Sequence, residues 1–217
     1  MTSDAWITLV ATQRYTIALR VDADGPLVGR PARWFPETRA RGIPAGRGRR
    51  VRTMEWTVHG ERRVYDNEWM RVALVDVELP SGARFEHHVL RMPAQASGVV
   101  VDVVDRGVLL LWRHRFITDT WGWELPAGRV DAGETPIEAG ARETLEETGW
   151  QPGPLAPMFT YFPHNGTGDM TFNLFVATSA THVGDPADPD ESERVEWLPW
   201  DTVRSEIAAG RIGDGVS

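Results

Sequence analysis

Alternating apolar and polar residues predict an antiparallel strand meander in the second quarter of the chain. Strand-like runs occupy residues 55–59, 70–79 and 84–92, and the turn-forming sequence PSG at 80–82 separates the last two. Alternation with a period of two is typical of strands that bury one face. The runs therefore predict three short strands that pair in the order of the sequence.

Uninterrupted apolar runs predict a second group of strands that are more deeply buried. VVVDVV at 99–104 and VLLLW at 108–112 are joined by the turn at 105–107, which predicts a buried hairpin. Further strand-like runs follow at 158–162, 171–177 and 194–199.

A helical period appears within GRVDAGETPIEAGARETLEETGW, residues 128–150. Thr135 and Glu138 have the spacing of a capping box, Pro136 suits the first helical position, and Gly149 supplies a stop. Small or apolar residues recur at helical spacing and predict the packing face: Ile137, Gly140, Ala141, Thr144, Leu145 and Thr148. A second helix is predicted at 202–209, with Asp201 as its cap. Strands that enclose one central helix, with another helix outside, predict an α+β sandwich.

Composition restricts the chemistry and the compartment. The 217 residues contain no cysteine, which excludes disulfides, zinc thiolate sites and thiol catalysis. No apolar run approaches the ~18 residues of a membrane span, and no signal segment opens the chain. We therefore expect a cytoplasmic protein without a membrane partner.

Charge divides the chain near residue 54. Residues 1–53 carry a balance of +6 and residues 54–217 a balance of −14, within a net charge of −8. Residues 30–52 are rich in Pro, Gly and Arg and lack periodicity, although two short strands fit within 5–21. We expect 1–53 to be a poorly ordered basic extension that binds no nucleic acid, since no recognition motif accompanies its arginines. Residues 54–217 would form the main domain, with the meander at 54–95 and the core at 96–217.

Three carboxylates crowd one side of the predicted central helix. Glu143, Glu146 and Glu147 fall within roughly 100° of one another and away from the predicted packing face, with Arg142 beside them. A solvated acidic face would be the simplest interpretation. However, like charges at these spacings repel, and the helix dipole disfavours anions in the later turns. Hard oxygen ligands suit Mg²⁺ or Mn²⁺, so the stripe predicts a site for one of these ions.

The residues around this stripe resemble the signature of the Nudix hydrolases. Gly128, Glu134, Arg142, Glu143, Glu146, Glu147 and Gly149 stand at the spacing G-x5-E-x7-R-E-U-x-E-E-x-G-U, where U is aliphatic. Thr144 and Trp150 depart from the aliphatic residues usual at their positions. The resemblance implies an α/β/α sandwich with a mixed sheet, and hydrolysis of a nucleoside diphosphate linked to another group.

The resemblance also implies roles for individual residues. Glu143, Glu146 and Glu147 would bind the metal, Glu134 would support the turn into the helix, and Arg142 would brace the glutamates. WGWELPAGRVDAGE at 121–134 is similar to the corresponding stretch of ADP-ribose and nucleotide-sugar pyrophosphatases. That similarity implies a metal contact from the Ala127 carbonyl, diphosphate contacts from Arg113 and Arg115, and a substrate or metal contact from Glu124. Glu191 and Glu193 would supply the general base and another metal ligand, so Glu146, Arg142 and Glu191 are the catalytic candidates.

The same subgroup predicts an assembly and a substrate. Its members use extra N-terminal strands like 55–92 to form a homodimer, in which each subunit lends them to its partner's substrate site. We expect hydrolysis of ADP-ribose or a related nucleotide sugar to AMP and a sugar phosphate. One alternative is a Nudix hydrolase of oxidised nucleoside triphosphates, which would not need the meander. Another is a silent domain that senses ADP-ribose, although the intact glutamate set argues against it.

Overall fold

The computed structural model describes residues 5–11, 15–21, 54–187 and 190–215. The chain forms two compact units, residues 1–51 and 52–217. In the first unit, β1 (Ala5–Ala11) and β2 (Tyr15–Val21) pair antiparallel, with Ala5 opposite Val21. These are the two short strands expected within 5–21. The remainder of the predicted extension lies outside the described residues.

The second unit begins with the predicted three-stranded antiparallel meander. It consists of β3 (Thr57–Asp66), β4 (Arg71–Glu78) and β5 (Arg84–Arg91), paired in that order. Alternate residues of the central strand, Ala73, Val75 and Val77, are buried. β3 is longer than the predicted 55–59. The rest of the strand was not predicted because its residues are exposed throughout and its register shifts twice, so the sequence shows no apolar alternation there.

A mixed sheet forms the rest of the unit. Its strands are β6 (Ala96–Val103), β7 (Gly107–Arg115), β8 (Thr120–Glu124), β9 (Ala127–Arg129), β11 (Ala156–Tyr161), β12 (Phe172–Ala177) and β14 (Arg194–Leu198), while β10 (Trp150–Pro152) pairs separately with β13 (Ala180–His182). The order is β11-β12-β6-β7-β14, with β8 added to β7 and β9 to β6. Only β6 and β12 run parallel among these pairs. Sequence patterns missed β8, β9, β10 and β13, because they are short and lack a clear apolar period.

The central helix α1 (Pro136–Thr148) begins and ends where its sequence signals predict. Thr135 and Glu138 form the reciprocal capping box, and Gly149 closes the helix with φ of 72°. Gly140 lies so close to β6 that an added Cβ would be 2.9 Å from the Ser97 Oγ and 3.0 Å from Val99 Cγ2. The predicted packing face is wrong at Ile137, which is 40% exposed, because α1 turns Ala139 toward the sheet instead.

The second helix, α2 (Trp200–Ala208), begins earlier than predicted. Its N-cap is Pro199. The prediction that Asp201 caps it is wrong, because Asp201 lies inside the first turn and accepts a hydrogen bond from Arg204. The correct start could not be seen in the sequence, since Pro199 has no side chain that can cap a helix.

The mixed sheet separates two apolar clusters, and this confirms the predicted sandwich. On the α1 side the cluster contains Val99, Val101, Leu109, Phe175 and Ala177. The other cluster includes Val108, Leu110, Trp123, Phe172 and Leu198, together with Val203 of α2. No helix among the described residues is long and apolar enough to cross a membrane.

Candidate active site

The turn from β9 into α1 brings the signature residues together. Gly128 lies directly against the Glu143 carboxyl group, so that a Cβ at position 128 would overlap it. Only glycine allows this approach. The backbone of β9 therefore forms one wall for the carboxylates that project from α1.

Arg142 occupies the centre of the exposed part of this site. Its guanidinium donates to Glu134 at 2.9 and 3.0 Å, and to one oxygen each of Glu143 and Glu146 at 2.9 Å. It also donates to the Arg129 carbonyl at 3.0 Å. Glu134 in turn accepts a hydrogen bond from the Asp131 N–H, which closes the turn into α1. Arg142 thus holds the turn and two signature glutamates in one network.

Glu147 lies in the interior, and the prediction that it stands away from the packing side of α1 is wrong. It is only 5% exposed. Arg113 Nη2 donates to its Oε1 at 2.7 Å, and the Ala127 N–H donates to its Oε2 at 2.8 Å. Burial raises the pKa of Glu147 to about 7, although Arg113 opposes the shift. The helical period of the sequence did not indicate that Glu147 is buried. The reason is that α1 packs against β9 as well as β6 and therefore has two buried sides.

Arg113 and Arg115, both predicted to hold phosphates, have different surroundings. The Arg115 side chain is 53% exposed and donates from Nε and Nη2 to Glu124. The Arg113 side chain is 8% exposed and contacts Glu147, with its Nε 3.8 Å from Glu124 Oε2. Glu124, itself buried, thus lies between the two arginines. Of this pair, Arg115 is the one that a solvent-borne ligand can reach.

Glu191 and Glu193 lie between β13 and β14, shortly before β14 begins. Burial raises the pKa of Glu143, and the charges of Glu146 and Glu191 add to the effect, so Glu191 lies near the signature carboxylates. Glu193 instead lines a surface cleft with Thr148 and Trp150, and its N–H donates to the Trp112 carbonyl. The charge of Glu191 thus acts on Glu143, whereas Glu193 lies in the cleft beside Thr148.

The donor set of this cluster fits a hard divalent cation. Among the described residues, no three His, Asp or Glu side chains already converge as a finished ion site. However, burial raises the pKa values of both Glu143 and Glu147, so their charges are incompletely balanced by the arginines. Carboxylate and peptide oxygens are the ligands that Mg²⁺ and Mn²⁺ prefer. Glu143, Glu147 and the neighbouring Ala127 peptide could hold such an ion.

Sequence reasoning missed the contact between the meander and the signature turn. The Arg129 guanidinium lies 4.8 Å from the ring centroid of Trp69, which precedes β4. The Asn67 side chain accepts hydrogen bonds from the Trp69 and Met70 N–H groups and fixes this loop. The turn-forming sequence DNEW could have indicated an ordered loop, but nothing in it specifies Arg129 as a neighbour.

The other end of the meander is also attached to the core. Leu90 N–H donates to the Thr167 carbonyl at 2.7 Å, and Asp169 accepts from the Met92 N–H at 2.8 Å and from Arg91 at 3.2 Å. The meander thus borders the core at two places, at Trp69 and at the loop before β12.

This arrangement, a capped glutamate helix against a mixed sheet, defines a hydrolase of the Nudix class. The family described as "NUDIX domain" matches residues 92–214, and the chain belongs to it. The family described as "Nucleoside diphosphate sugar hydrolase N-terminal domain" matches residues 56–90, which include β3, β4 and most of β5. The family resemblance drawn from the signature is therefore confirmed.

Several known proteins are similar to this chain. A CMP-5'-(N-acetyl-N-hydroxy-3-aminopropyl)phosphonate hydrolase of Streptomyces rubellomurinus is 41% identical over 73% of this chain and 76% of its own length. An ADP-ribose pyrophosphatase of Bacillus subtilis is 24% identical over 67% of this chain and 78% of its own length. The crystal structure of an ADP compounds hydrolase aligns with a TM-score of 0.63 at 20% identity, over 74% of this chain and 86% of its own, which shows the shared fold.

Proposed function

We propose that this Nudix hydrolase is a metal-dependent pyrophosphatase that cleaves ADP-ribose or a related nucleotide sugar to AMP and a sugar phosphate. One observation carries the proposal. The half-exposed Arg115 is linked through Glu124 and Arg113 to the buried Glu147. A guanidinium group that can bind phosphate is therefore connected to the carboxylate cluster. A diphosphate flanked on both sides by other groups must be bound at its phosphates, and an exposed arginine provides charge-assisted hydrogen bonds for this purpose. The match to a nucleoside diphosphate sugar hydrolase N-terminal domain supports the same substrate class.

The carboxylate cluster would hold Mg²⁺ or Mn²⁺ through Glu143, Glu146, Glu147 and the Ala127 carbonyl. When bound, such an ion neutralises the diphosphate and lowers the pKa of a water molecule. Arg142 keeps Glu143 and Glu146 oriented, because it donates to both. Glu191 is the candidate base that takes the proton of the attacking water, with Glu193 as the other acid of the loop.

Arg115 is the residue that we expect to hold the phosphates of the substrate. Its paired contacts with Glu124 fix the plane of the guanidinium, so the side chain is oriented before a ligand arrives. Glu124 therefore contributes to the substrate site by orienting Arg115, and its own carboxylate is buried.

A CMP-linked phosphonate is a second candidate substrate. The relative at 41% identity is a hydrolase of such a compound. Its name describes CMP joined to a phosphonate, and the proposed chemistry would act on the same kind of linkage between two phosphorus groups. In this case the products would be CMP and the free phosphonate.

A substrate panel separates these candidates. We would measure catalytic efficiency from the release of nucleoside monophosphate or inorganic product, in millimolar Mg²⁺, with ADP-ribose, ADP-glucose, a CMP–phosphonate anhydride and 8-oxo-dGTP. The proposal predicts that an ADP sugar is the best substrate. A tenfold preference for the CMP compound would select the second candidate. A tenfold preference for 8-oxo-dGTP would replace both, and tight ADP-ribose binding without turnover would identify a sensor.

We also propose that the protein is a cytoplasmic homodimer that assembles through the meander. Large apolar side chains of this region are exposed, among them Trp56, Val58, Val64 and Phe85. Exposed apolar surface on a sheet favours association with another subunit. Removal of residues 1–53 should preserve the dimer and its activity, because the family matches begin at residue 56. Light scattering and activity of the shortened chain test both statements, and an active monomer would refute the first.

A further inference from the structure

We propose that Arg113 is a positioning residue that holds Glu147 in place, and that it does not bind the phosphates of the substrate. This inference rests on the proposed function, since it takes Glu147 to be a metal ligand. Arg113 and Arg115 are separated by two positions on β7 and would be expected to share one role. Their surroundings differ too much for that.

Burial separates the two arginines. The Arg113 side chain is 8% exposed, and the carboxylate that it contacts belongs to Glu147, whose side chain is 5% exposed. The Arg115 side chain is 53% exposed. A phosphate group that approaches from solvent meets Arg115 first. To reach Arg113 it would have to displace a 2.7 Å ion pair between two buried side chains.

The hydrogen bonds of Glu147 explain what Arg113 does. Arg113 Nη2 holds Oε1, and the Ala127 N–H holds Oε2, so both oxygens are fixed from the side of β7 and β9. A carboxylate oxygen has two lone pairs, so each oxygen retains one that can reach a cation. Two bonds to different elements determine the plane of the carboxylate. Removal of Arg113 would leave a single bond, about which the group can turn.

Glu124 fixes Arg113 from the opposite side. Its Oε2 lies 3.8 Å from Arg113 Nε, and that Nε finds no hydrogen-bond acceptor among the described residues. The contact is therefore electrostatic. The charges alternate along the row Arg115, Glu124, Arg113 and Glu147, and buried charges are tolerated when they are paired in this way. Glu124 thus keeps Arg113 from adding an unbalanced positive charge beside the proposed ion site.

The test compares Arg113→Gln with Arg115→Gln, using two different measurements. Mn²⁺ affinity is determined by electron paramagnetic resonance in the absence of substrate, and kcat and KM are determined with the best substrate of the panel. Loss of a residue that orients a metal ligand typically costs 10- to 100-fold in metal affinity. We expect Arg113→Gln to weaken Mn²⁺ binding by about that factor and to lower kcat, with KM nearly unchanged. Arg115→Gln should raise KM about tenfold or more and leave Mn²⁺ affinity unchanged.

Further variants keep the result interpretable. Arg204→Gln removes an arginine that is paired with Asp201 on α2 and should match the parent in both measurements. Glu124→Gln has the same shape as the parent side chain and should weaken Mn²⁺ binding less than Arg113→Gln does. If Arg113→Gln does not fold by near-ultraviolet circular dichroism, Glu124→Gln and Arg113→Lys decide the matter, with reduced Mn²⁺ affinity expected in each.

Four outcomes would overturn the inference. A raised KM with unchanged Mn²⁺ affinity in the Arg113 variants would make Arg113 a substrate-binding residue. Tighter Mn²⁺ binding would mean that Arg113 competes with the ion for Glu147. Glu147→Gln provides the remaining distinction: if it leaves Mn²⁺ affinity intact, the metal assignment of the proposed function fails together with this inference. If Glu147→Gln abolishes binding and the Arg113 variants do not alter it, the positioning role alone fails.

Discussion

The meander and the signature helix both contain many arginine–carboxylate pairs, but the two regions place these pairs in opposite environments. Arg62 pairs with Glu86 at 2.9 Å on the meander, where the side chains are 61% and 49% exposed. Arg113 pairs with Glu147 at 2.7 Å, where they are 8% and 5% exposed. Exposed pairs contribute little because solvent screens them, whereas breaking a buried pair leaves an uncompensated charge. The distance between the charged atoms therefore does not show which pairs contribute most to the free energy of folding, whereas the burial of the two side chains does.

The two sets of pairs accordingly perform different tasks. On β3 and β5 the charged side chains cover a small sheet, and charges on edge strands discourage uncontrolled pairing with other chains. Around α1 the pairs fix carboxylates that would otherwise repel one another. The following experiments test this contrast, beginning with the largest expected effect.

Glu147→Gln should have the largest effect on activity. The substitution preserves shape but removes the charge from the most deeply buried signature carboxylate, so turnover in millimolar Mg²⁺ should fall by at least ~100-fold. Glu86→Gln on the meander is the matched control and should retain the parental rate. Turnover by Glu147→Gln near the parental rate would show that Glu147 is not a ligand.

Gly128→Ala should reduce activity almost as much. The new Cβ would overlap the Glu143 carboxyl group and force this side chain to move, and a displacement of about 1 Å at a catalytic group can cost ~100-fold. Gly60→Ala on β3 is the control, because a Cβ there would meet no atom of the described residues within 4 Å. Equal activities of the two variants would contradict the close packing at Gly128.

The pH dependence of stability should reveal the burial of Glu147. Its folded pKa is about 7, above the usual value of 4.5, so between these values the folded state binds the proton more tightly than the unfolded state. This group's stabilising effect is therefore present below pH 4.5 and is lost as the pH rises toward 7. Between pH 5 and 7 the loss should amount to about 2 kcal/mol.

Urea unfolding in the presence of a chelator would measure this loss. The free energy of unfolding of the parent should fall relative to that of Glu147→Gln as the pH is raised from 5 to 7. Any constant penalty from leaving Arg113 without its partner cancels in the comparison of slopes. Parallel pH profiles for the two proteins would refute a raised pKa at Glu147.

Arg62→Ala should have the smallest effect. The residue belongs to an exposed pair, so the melting temperature should stay within about 2 °C of the parental value, and any difference should disappear in 1 M salt. Scanning calorimetry at low and high salt measures both. A large, salt-resistant loss would mean that the meander pairs also contribute strongly to stability.

The sequence predicted best what depends on neighbouring residues. The capping box of Thr135 and Glu138 and the left-handed Gly149 are local devices, so the limits of α1 could be read from the chain. The side of α1 that faces the interior depends on β9, a strand of three residues that no period reveals, so Glu147 was misplaced. Arg113 and Arg115 look equivalent in sequence. The alternation of residues along a strand predicts which face of the sheet a side chain lies on, but it does not predict how deeply the side chain is buried.

The parallel pairing of β6 with β12 has a consequence for the order of folding. Ala96 lies opposite Phe172, and the chain between these strands contains β7, β8, β9, α1, β10 and β11. Closing so long a segment costs chain entropy before any contact is gained, and non-local pairing of this kind slows folding. The hairpin of β6 and β7 is local and can form early, and α1 packs mainly on β6, β9 and β10, which precede it or directly follow it in the chain. We therefore expect the pairing of β12 with β6 to be completed late in folding, after the shorter loop between Arg113 and Glu147 has closed.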